Sequence, residues 1–512
     1  MKNQNLVGID DMAFYAPSLY LPIETLANER NLEYLKLNKG LGLTHMAIPD
    51  AHEDAATMAA NAAAEIIEKN GLNPRDIGRI YLGTESALDG AKPTATYVLT
   101  MLRDKYRETY GEDCFRNCDV VDLTFACVGG VDALHNTLDW VRGDKSRMGI
   151  VITSDFAKYE LASTGEYTQG AGAVAMLIKH NPRLLAIQDI IGVGTKGVHD
   201  FYKPKRTATK SQVITEALEL AGVKNADIQS ILQNLPDSLE VNGVLDDNEE
   251  VLTLHKDTPI FDGQYSNQCY QDRIREAYAH FRSQSEEKGH FSDDENLLER
   301  WSRLIFHLPY AFHAKRIFSE IFMKELQNAG NWHSYMQEND LTMPRRVDED
   351  DAAFEKVYVG FLRSITKTQG YRNFVQQRME KAQRASSLIG NMYACSIFMG
   401  LMSSLESDWK EGEDLTDATF GFFGYGSGSK SKCFEANLQP QWKEVVANFN
   451  IFNRLENRTA IDYATYENLH RGRQKTSIIA PQDEFSIDRI GTEGVREGAR
   501  YYKFTASVSV SA

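Results

Sequence analysis

Apolar residues in the first third of the chain fall into short runs separated by amphipathic stretches. Leu6-Val7-Gly8-Ile9, Ile80-Tyr81-Leu82-Gly83, Val120-Val121-Asp122-Leu123, Met148-Gly149-Ile150-Val151-Ile152-Thr153 and Ala173-Val174-Ala175-Met176-Leu177-Ile178 read as buried strands. The alanine-rich stretch from Asp54 to Lys69 and the segment Val131–Leu138 read as helices. Strands alternating with helices predict a layered α/β domain.

The middle of the chain is more polar. Ser211–Ala221 and Gln264–Gln284 read as helices, and the acidic stretches Asp246-Asp247-Asn248-Glu249-Glu250 and Ser292-Asp293-Asp294-Glu295 read as surface loops or insertions. The last third repeats the logic of the first. Ser386-Ser387-Leu388-Ile389-Gly390-Asn391 leads into a helix at Met392–Phe398, with Asn391 in the place that Cys127 holds in the first copy. Gly170-Ala171-Gly172-Ala173 finds its echo in Gly424-Tyr425-Gly426-Ser427-Gly428. These repeats predict an ancestral duplication, with halves at 1–190 and 191–512. Two halves facing each other place Cys127 and Asn391 near a shared floor.

Composition narrows the class. The 512 residues are 42% hydrophobic and 25% charged, which is ordinary for a globular protein. Met1-Lys2-Asn3-Gln4-Asn5 lacks the apolar core of a signal peptide, and no apolar run approaches a membrane span. Six cysteines are too few for a disulfide framework, which fits a reducing cytoplasm. Cys114 and Cys118 have no His or Cys partners nearby in sequence, so no metal site is expected there. A net charge of −16 argues against nucleic-acid binding. Local basic clusters at Lys203, Lys205, Arg206 and Lys210, and at Lys315-Arg316, are candidates for meeting an anionic cofactor, although the default for such clusters is a solvated surface.

The chemistry centres on Val120–Gly130, where an extended apolar run ends in Cys127 and two glycines lead into a helix. A strand turning sharply into a helix presents the turn residue to helix-start amides, and the helix dipole there favours thiolate. The competing reading is a cysteine that merely fills the core. Glu85 follows the apolar strand Ile80-Tyr81-Leu82, where partial desolvation makes a carboxyl group a proton shuttle. His307 lies among aromatics and proline in Phe306-His307-Leu308-Pro309-Tyr310, either as a packed histidine or as an acid–base group on a stiff turn. His313 competes with it from a helical stretch.

Taken together and in order, these segments resemble hydroxymethylglutaryl-CoA synthase, of the thiolase superfamily. The resemblance is carried by Gly83-Thr84-Glu85-Ser86, Ala126-Cys127-Val128-Gly129-Gly130, the segment Thr168–Met176, Asp200-Phe201-Tyr202-Lys203-Pro204, the segment Asp262–Tyr270, Phe306–Tyr310, Gly390-Asn391-Met392-Tyr393 and Gly424–Gly428. It implies a thiolase-like five-layer αβαβα fold from two duplicated halves. It also implies a homodimer, and CoA thioesters as substrates without a further cofactor.

The implied mechanism starts with attack of Cys127 on acetyl-CoA. Amides near Cys127 and in the Gly426-Ser427-Gly428 loop hold the oxyanion. Glu85 removes a proton from the acetyl methyl group, and His307, helped by Asn391, polarises the ketone of acetoacetyl-CoA. Hydrolysis then frees 3-hydroxy-3-methylglutaryl-CoA. By resemblance Tyr159 belongs to the wall of the site, Gly170 to the substrate-binding segment, and Arg316, Lys315 and Lys203 to the CoA-phosphate contacts. The chain departs from the family at Val128 (often tyrosine), at Tyr167 in Glu166-Tyr167-Thr168 (usually proline), and at Phe312 (an expected lysine). Two rival readings remain: a β-branching synthase acting on a carrier-protein-bound ketone, and a non-catalytic scaffold of the same fold.

Overall fold

A computed structural model of the chain describes residues 6–506, apart from 224–226, 235–250, 293–294 and 346–350. The acidic run Asp246–Glu250, the pair Asp293-Asp294 and the tail from Ser507 lie outside the described residues.

Nine strands form one hydrogen-bonded array: β1 Val7–Tyr15, β2 Ile77–Gly83, β3 Asp119–Leu123, β4 Met148–Ala157, β5 Gly170–His180, β6 Leu185–Thr195, β7 Trp301–Phe306, β8 Thr419–Gly426 and β9 Lys430–Leu438. Their order is β7-β8-β9-β6-β1-β5-β4-β2-β3. The duplication shows in the pairing. Outward from β1 the contacts run antiparallel to β5, antiparallel to β4, then parallel to β2. Outward from β6 they run antiparallel to β9, antiparallel to β8, then parallel to β7. The two half-sheets meet where Gly8 lies opposite Ala186 and Ile9 opposite Leu185.

The helices that matter are α1 Ala55–Lys69, α2 Thr94–Tyr110, α3 Gly129–Arg142, α4 Gly263–Glu287, α5 Ala314–Ile317, α6 Glu380–Ile389 and α7 Ser396–Lys410. Helix α1 packs on β1, β4 and β5, and α2 packs beside α1. Helix α3 covers the opposite face of that half-sheet, while α7, paired with α6, covers one face of the second half-sheet and α4 covers the other. The layers therefore run α, β, α, β, α, as the resemblance implies. Within the central layer α7 is the most enclosed helix. Every residue of α7 from Ser396 to Asp408 is buried, as befits a helix enclosed on all sides. Each buried Leu, Met or Phe there contributes about 1.5–3 kcal/mol of transfer free energy.

Alanine periodicity predicts α1, and its start is set chemically. Asp54 caps the amides of Ala56 and Thr57 at 2.9 Å each, and Thr57 Oγ1 accepts from Asp54 N at 2.8 Å.

The boundary expected at 190 is corrected in two ways. The chain passes from the first half-sheet to the second between His180 and Leu185. A C-terminal hairpin, β10 Glu484–Ile490 with β11 Arg500–Thr505, then returns to pack on α1 and α2 of the first half. Sequence contiguity hides this return. Thr505, at the end of β11, pairs with Glu484 in β10.

Candidate active site

Beyond β3 the chain turns through Phe125–Val128 into α3. The turn is tight: Val128 N donates to Phe125 O at 3.1 Å and Gly129 N to Ala126 O at 3.2 Å. Ala126 takes φ +40°, a left-handed conformation that costs on the order of 1–3 kcal/mol for a non-glycine residue. The strain sits beside the residue that the turn displays. Cys127 is only 7% exposed and borders a cavity of about 450 Å³. Gly426 makes the seat possible, since a Cβ there would lie 2.5 Å from Phe125 O and 2.8 Å from Val128 N.

Cys127 Sγ donates to Glu85 Oε1 at 3.1 Å. Glu85 sits two residues past β2, behind the sulfur rather than on the cavity wall. Lys203 Nζ approaches Glu85 Oε2 at 3.7 Å and donates to the Glu85 carbonyl at 3.3 Å. The electrostatics correct the expectation of a thiolate favoured by the helix start. Burial pushes the Cys127 thiol well above its ordinary value, and the neighbouring Glu85 carboxyl adds to that. Burial also raises Glu85, against the pull of Lys203. Desolvation outweighs the dipole, so the resting nucleophile is a thiol hydrogen-bonded to a carboxyl group.

A second acid fixes the first. Asp155 Oδ1 accepts from Glu85 N at 2.9 Å, Ser86 Oγ at 2.9 Å and Thr84 Oγ1 at 3.0 Å. Its Oδ2 accepts from Ala394 N at 2.9 Å, which ties the Glu85 loop to the Asn391 turn of the other half. Burial, with Glu85 as a charged neighbour, pushes Asp155 up to about 7.

The second half supplies the opposite wall. His307 follows β7, held by its own N–H to Phe423 O at 3.0 Å and by Tyr270 Oη donating to its carbonyl at 2.7 Å. Burial pushes its imidazole down to about 3, so it is neutral at physiological pH. Its Nδ1 is buried without a hydrogen-bond partner. Asn391 Oδ1 accepts from Tyr393 N at 2.9 Å and Ser396 Oγ at 3.2 Å, which orients its amide. Cys127, His307, Asn391, Tyr159, Ser427 and Arg316 all border the cavity.

Five expectations change in detail. Gly170 does not line the cavity; a Cβ there would lie 2.5 Å from Ile389 O and 2.7 Å from Asn391 O, so its role is to let the Asn391 turn approach. Gly428 N is committed to Asp200 Oδ1 at 2.7 Å and is not free to meet an oxyanion. Lys203 is half-buried, with Nζ 3.7 Å from Glu85 Oε2 and over the Tyr393 ring, so its side chain points to the nucleophile's carboxyl partner. Lys315 Nζ lies 3.2 Å from the centroid of Phe312, and Arg316 is the member of that pair that borders the cavity. His313, read as part of a helical stretch, has helical backbone angles just before the one-turn helix α5, makes no side-chain cap bond, and borders the cavity, buried and pushed down to about 3.

Several contributors went unassigned at the sequence level. Asp200 accepts from Tyr425 Oη at 2.7 Å, and Tyr425 packs against Tyr270, with ring centroids 4.3 Å apart. Phe201 and Phe261 pair across two short strands and close on Tyr159, the Phe261 ring lying 5.4 Å from it. Tyr393, at φ +43°, completes this aromatic shell around Cys127. Their signal was present in the family segments Asp200–Pro204 and Asp262–Tyr270, but a segment match assigns no role to its members.

Comparison with known proteins agrees with this geometry. The chain matches the models of the hydroxymethylglutaryl-coenzyme A synthase N-terminal domain over residues 3–182 and C-terminal domain over residues 253–494. It is 28% identical over 468 residues to the hydroxymethylglutaryl-CoA synthase of Haloferax volcanii, covering 91% of each chain. It is 26% identical to hydroxymethylglutaryl-CoA synthase A of Dictyostelium discoideum, covering 98% of this chain and 92% of that protein. Among solved structures, MvaS in complex with 3-hydroxy-3-methylglutaryl coenzyme A superposes with a TM-score of 0.73 at 24% identity, over 98% of this chain and all of that one. The HMG synthase of the curacin biosynthetic pathway superposes at 0.66 with 20% identity over the same share of this chain. At these identities the superpositions establish the shared fold.

Proposed function

The chain belongs to the hydroxymethylglutaryl-CoA synthase family, and from that premise we propose that it condenses acetyl-CoA with acetoacetyl-CoA and water to give 3-hydroxy-3-methylglutaryl-CoA. The observation that carries the reading is the Cys127–Glu85 contact of 3.1 Å beside a cavity whose far wall holds a neutral, partnerless His307 nitrogen. A scaffold that had lost its chemistry would have no reason to keep a buried thiol, a buried acid and a buried imidazole around one cavity.

Cys127 attacks the acetyl thioester as its proton passes to Glu85, the acetyl group moves to sulfur, and the departing CoA thiolate takes the proton from Glu85 and leaves as CoA, returning Glu85 to the ionised form. The Cys127 and Ser427 amides hold the oxyanion. An acetyl group on Sγ brings its methyl within reach of Glu85, which removes a proton in the second step. Lys203 favours the ionised form of Glu85 and so supports its role as base. His307 donates to the ketone oxygen of the acceptor, and the new tertiary alkoxide takes back the proton that Glu85 removed from the acetyl methyl group. Water then frees the product from the sulfur. Cysteine, carboxylate and imidazole supply nucleophile, base and hydrogen-bond donor, so the reaction needs no cofactor beyond its CoA substrates. Arg316 at the cavity rim is the cation for the CoA phosphates.

Two further points belong to this reading. Strand β3 ends the array and leaves one edge unpaired among the described residues, and its side chains are half-buried. Such an edge invites pairing, and a second copy of the chain fits it as a homodimer. No helix among the described residues is long and apolar enough to cross a membrane, and the cysteines are free, which suits the cytoplasm.

Intact-protein mass spectrometry after acetyl-CoA tests the covalent step, with a single acetyl adduct expected on Cys127. Subsequent acetoacetyl-CoA is expected to discharge it to product. Discharge only by a carrier-protein-bound ketone would instead assign the chain to β-branching. No adduct would overturn the acetyl-CoA reading and revive the scaffold.

A further inference from the structure

Away from the cavity, three distant parts of the chain meet beside the start of α1. Tyr15 ends β1, His52 and Glu53 precede the α1 cap, and Glu484 opens β10. Tyr15 Oη lies 2.6 Å from Glu53 Oε1 and 2.5 Å from Glu484 Oε2, so one hydroxyl proton faces two carboxylates. Glu53 Oε2 accepts from Asp50 N at 2.6 Å. His52 Nε2 stands 3.4 Å from Glu484 Oε1, and its Nδ1 stands 3.8 Å from Asp50 Oδ2. His52 is 8% exposed, and that Nδ1 has no hydrogen-bond partner. Among the described residues, no lysine or arginine pairs with Asp50, Glu53 or Glu484. Asp50 is met by the amides of Ala51, Ile478 and Ile479, so Glu53 and Glu484 are the carboxyl groups left without a fixed cation, a situation resolved by a bound proton or a bound cation.

The geometry favours the cation. One ligand atom each from His52, Glu53 and Glu484 lies within 4.8 Å of the other two. A divalent ion with bonds of about 2.1 Å spans about 4.2 Å between opposite ligands, so small side-chain movements close the set. An imidazole nitrogen with carboxylate oxygens, and no thiolate, selects an ion of the Mn2+ or Zn2+ class. None of these residues borders the cavity. We propose that His52, Glu53 and Glu484 form a divalent-metal site that clips the C-terminal hairpin onto the first half of the fold. Its two ends come from opposite termini of the chain, which is why cysteine and histidine spacing along the sequence does not reveal it.

Mn2+ alone is the probe, because thiols compete for it weakly. Chelator-treated full-length protein is titrated with Mn2+ while the electron paramagnetic resonance signal of the free ion is followed. One Mn2+ is expected to bind per chain and to raise the Tm. Glu484→Gln and His52→Asn are each expected to weaken binding at least tenfold and to abolish the Tm shift, with Cys127 acetylation by acetyl-CoA unchanged. The acetylation readout establishes that the variants are folded. Anomalous scattering from Mn2+-soaked crystals of the unmodified protein gives a variant-independent check, with a peak expected between His52 and Glu484. Absence of stoichiometric binding, undiminished binding in the Glu484→Gln protein, or a peak elsewhere overturns the proposal.

Discussion

Replacing Glu85 with alanine separates the two chemical steps. In the intact site Glu85 Oε1 accepts from Cys127 Sγ at 3.1 Å, and Lys203 Nζ lies 3.7 Å from the other carboxylate oxygen. Removing the carboxyl group takes away the negative neighbour that helps hold the thiol protonated, and leaves the Lys203 cation close by. The sulfur therefore becomes easier to ionise, and transfer of acetyl from CoA survives. Carbon–carbon bond formation does not, because among the described residues no other carboxylate hydrogen-bonds to the sulfur. Loss of a positioned base costs about 10²–10⁴ in rate. At about 1.36 kcal/mol per decade that is about 2.7–5.4 kcal/mol of barrier. The assay is mass spectrometry of the acetyl-enzyme in one arm and single-turnover formation of 3-hydroxy-3-methylglutaryl-CoA in the other. Condensation within tenfold of the unmodified enzyme refutes Glu85 as the base. Disappearance of the acetyl adduct refutes the electrostatic argument, because it makes Glu85 indispensable to the sulfur as well.

Three further perturbations probe the frame around this chemistry. His307 and His313 are both pushed by burial from 6.5 to about 3. The unfolded chain therefore takes up protons that the folded one refuses, and the stability from each histidine is complete above pH 6.5 and lost as pH falls toward 3. At pH 5 the loss is about 2 kcal/mol per histidine, and His313→Phe is expected to flatten half of the pH dependence of Tm that the pair causes between pH 7.5 and 5; an unchanged slope contradicts this. Gly170→Ala puts a Cβ 2.5 Å from Ile389 O and 2.7 Å from Asn391 O, so about 1–3 kcal/mol of stability and most of the condensation rate are expected to go, while near-normal kcat would show that the Asn391 turn can yield. Asp408→Ala strips the buried partner from Arg303, at 2.5 Å, and from Lys381, at 2.6 Å, and a loss of about 3–5 kcal/mol is expected in urea unfolding, with less than about 1 kcal/mol refuting the role.

The strands of the first half were legible because each carries a short run of mostly apolar residues, and the structure places strands on all five runs singled out. The duplication was legible in two glycine-rich echoes and two helix mouths, since close backbone approach demands glycine wherever it recurs. What escaped was whatever depends on long-range placement. Asp155 reads as an ordinary acid after Ser154, and its bond to Ala394 N joins residues 239 apart. Lys203 groups by composition with Lys205 and Arg206. The pairing of Phe201-Tyr202 with Ile260-Phe261 carries it inward to Glu85 instead, while Lys205 stays exposed. The protonation state of Cys127 escaped for the same reason. The helix start is visible in a pattern of residues, but the depth of burial that overrides it is not.

That burial is also what makes the site work. Removing water raises the proton affinity of the thiol and of Glu85 together, and lowers that of His307. A proton moving from sulfur to carboxylate responds to the difference between two affinities, so raising Glu85 offsets part of the cost of deprotonating the buried thiol. The step stays accessible although either group alone would be hard to ionise. Dryness meanwhile strengthens every remaining electrostatic contact, the Lys203 cation on Glu85 included. Neutral His307 can then donate to a ketone oxygen without competing for the proton that Glu85 must take. Thiol and base come from the first half-sheet, imidazole and amide from the second, and Asp155 bonds to both sides of the seam. Neither half holds a complete set, so the interface created by duplication is where chemistry becomes possible.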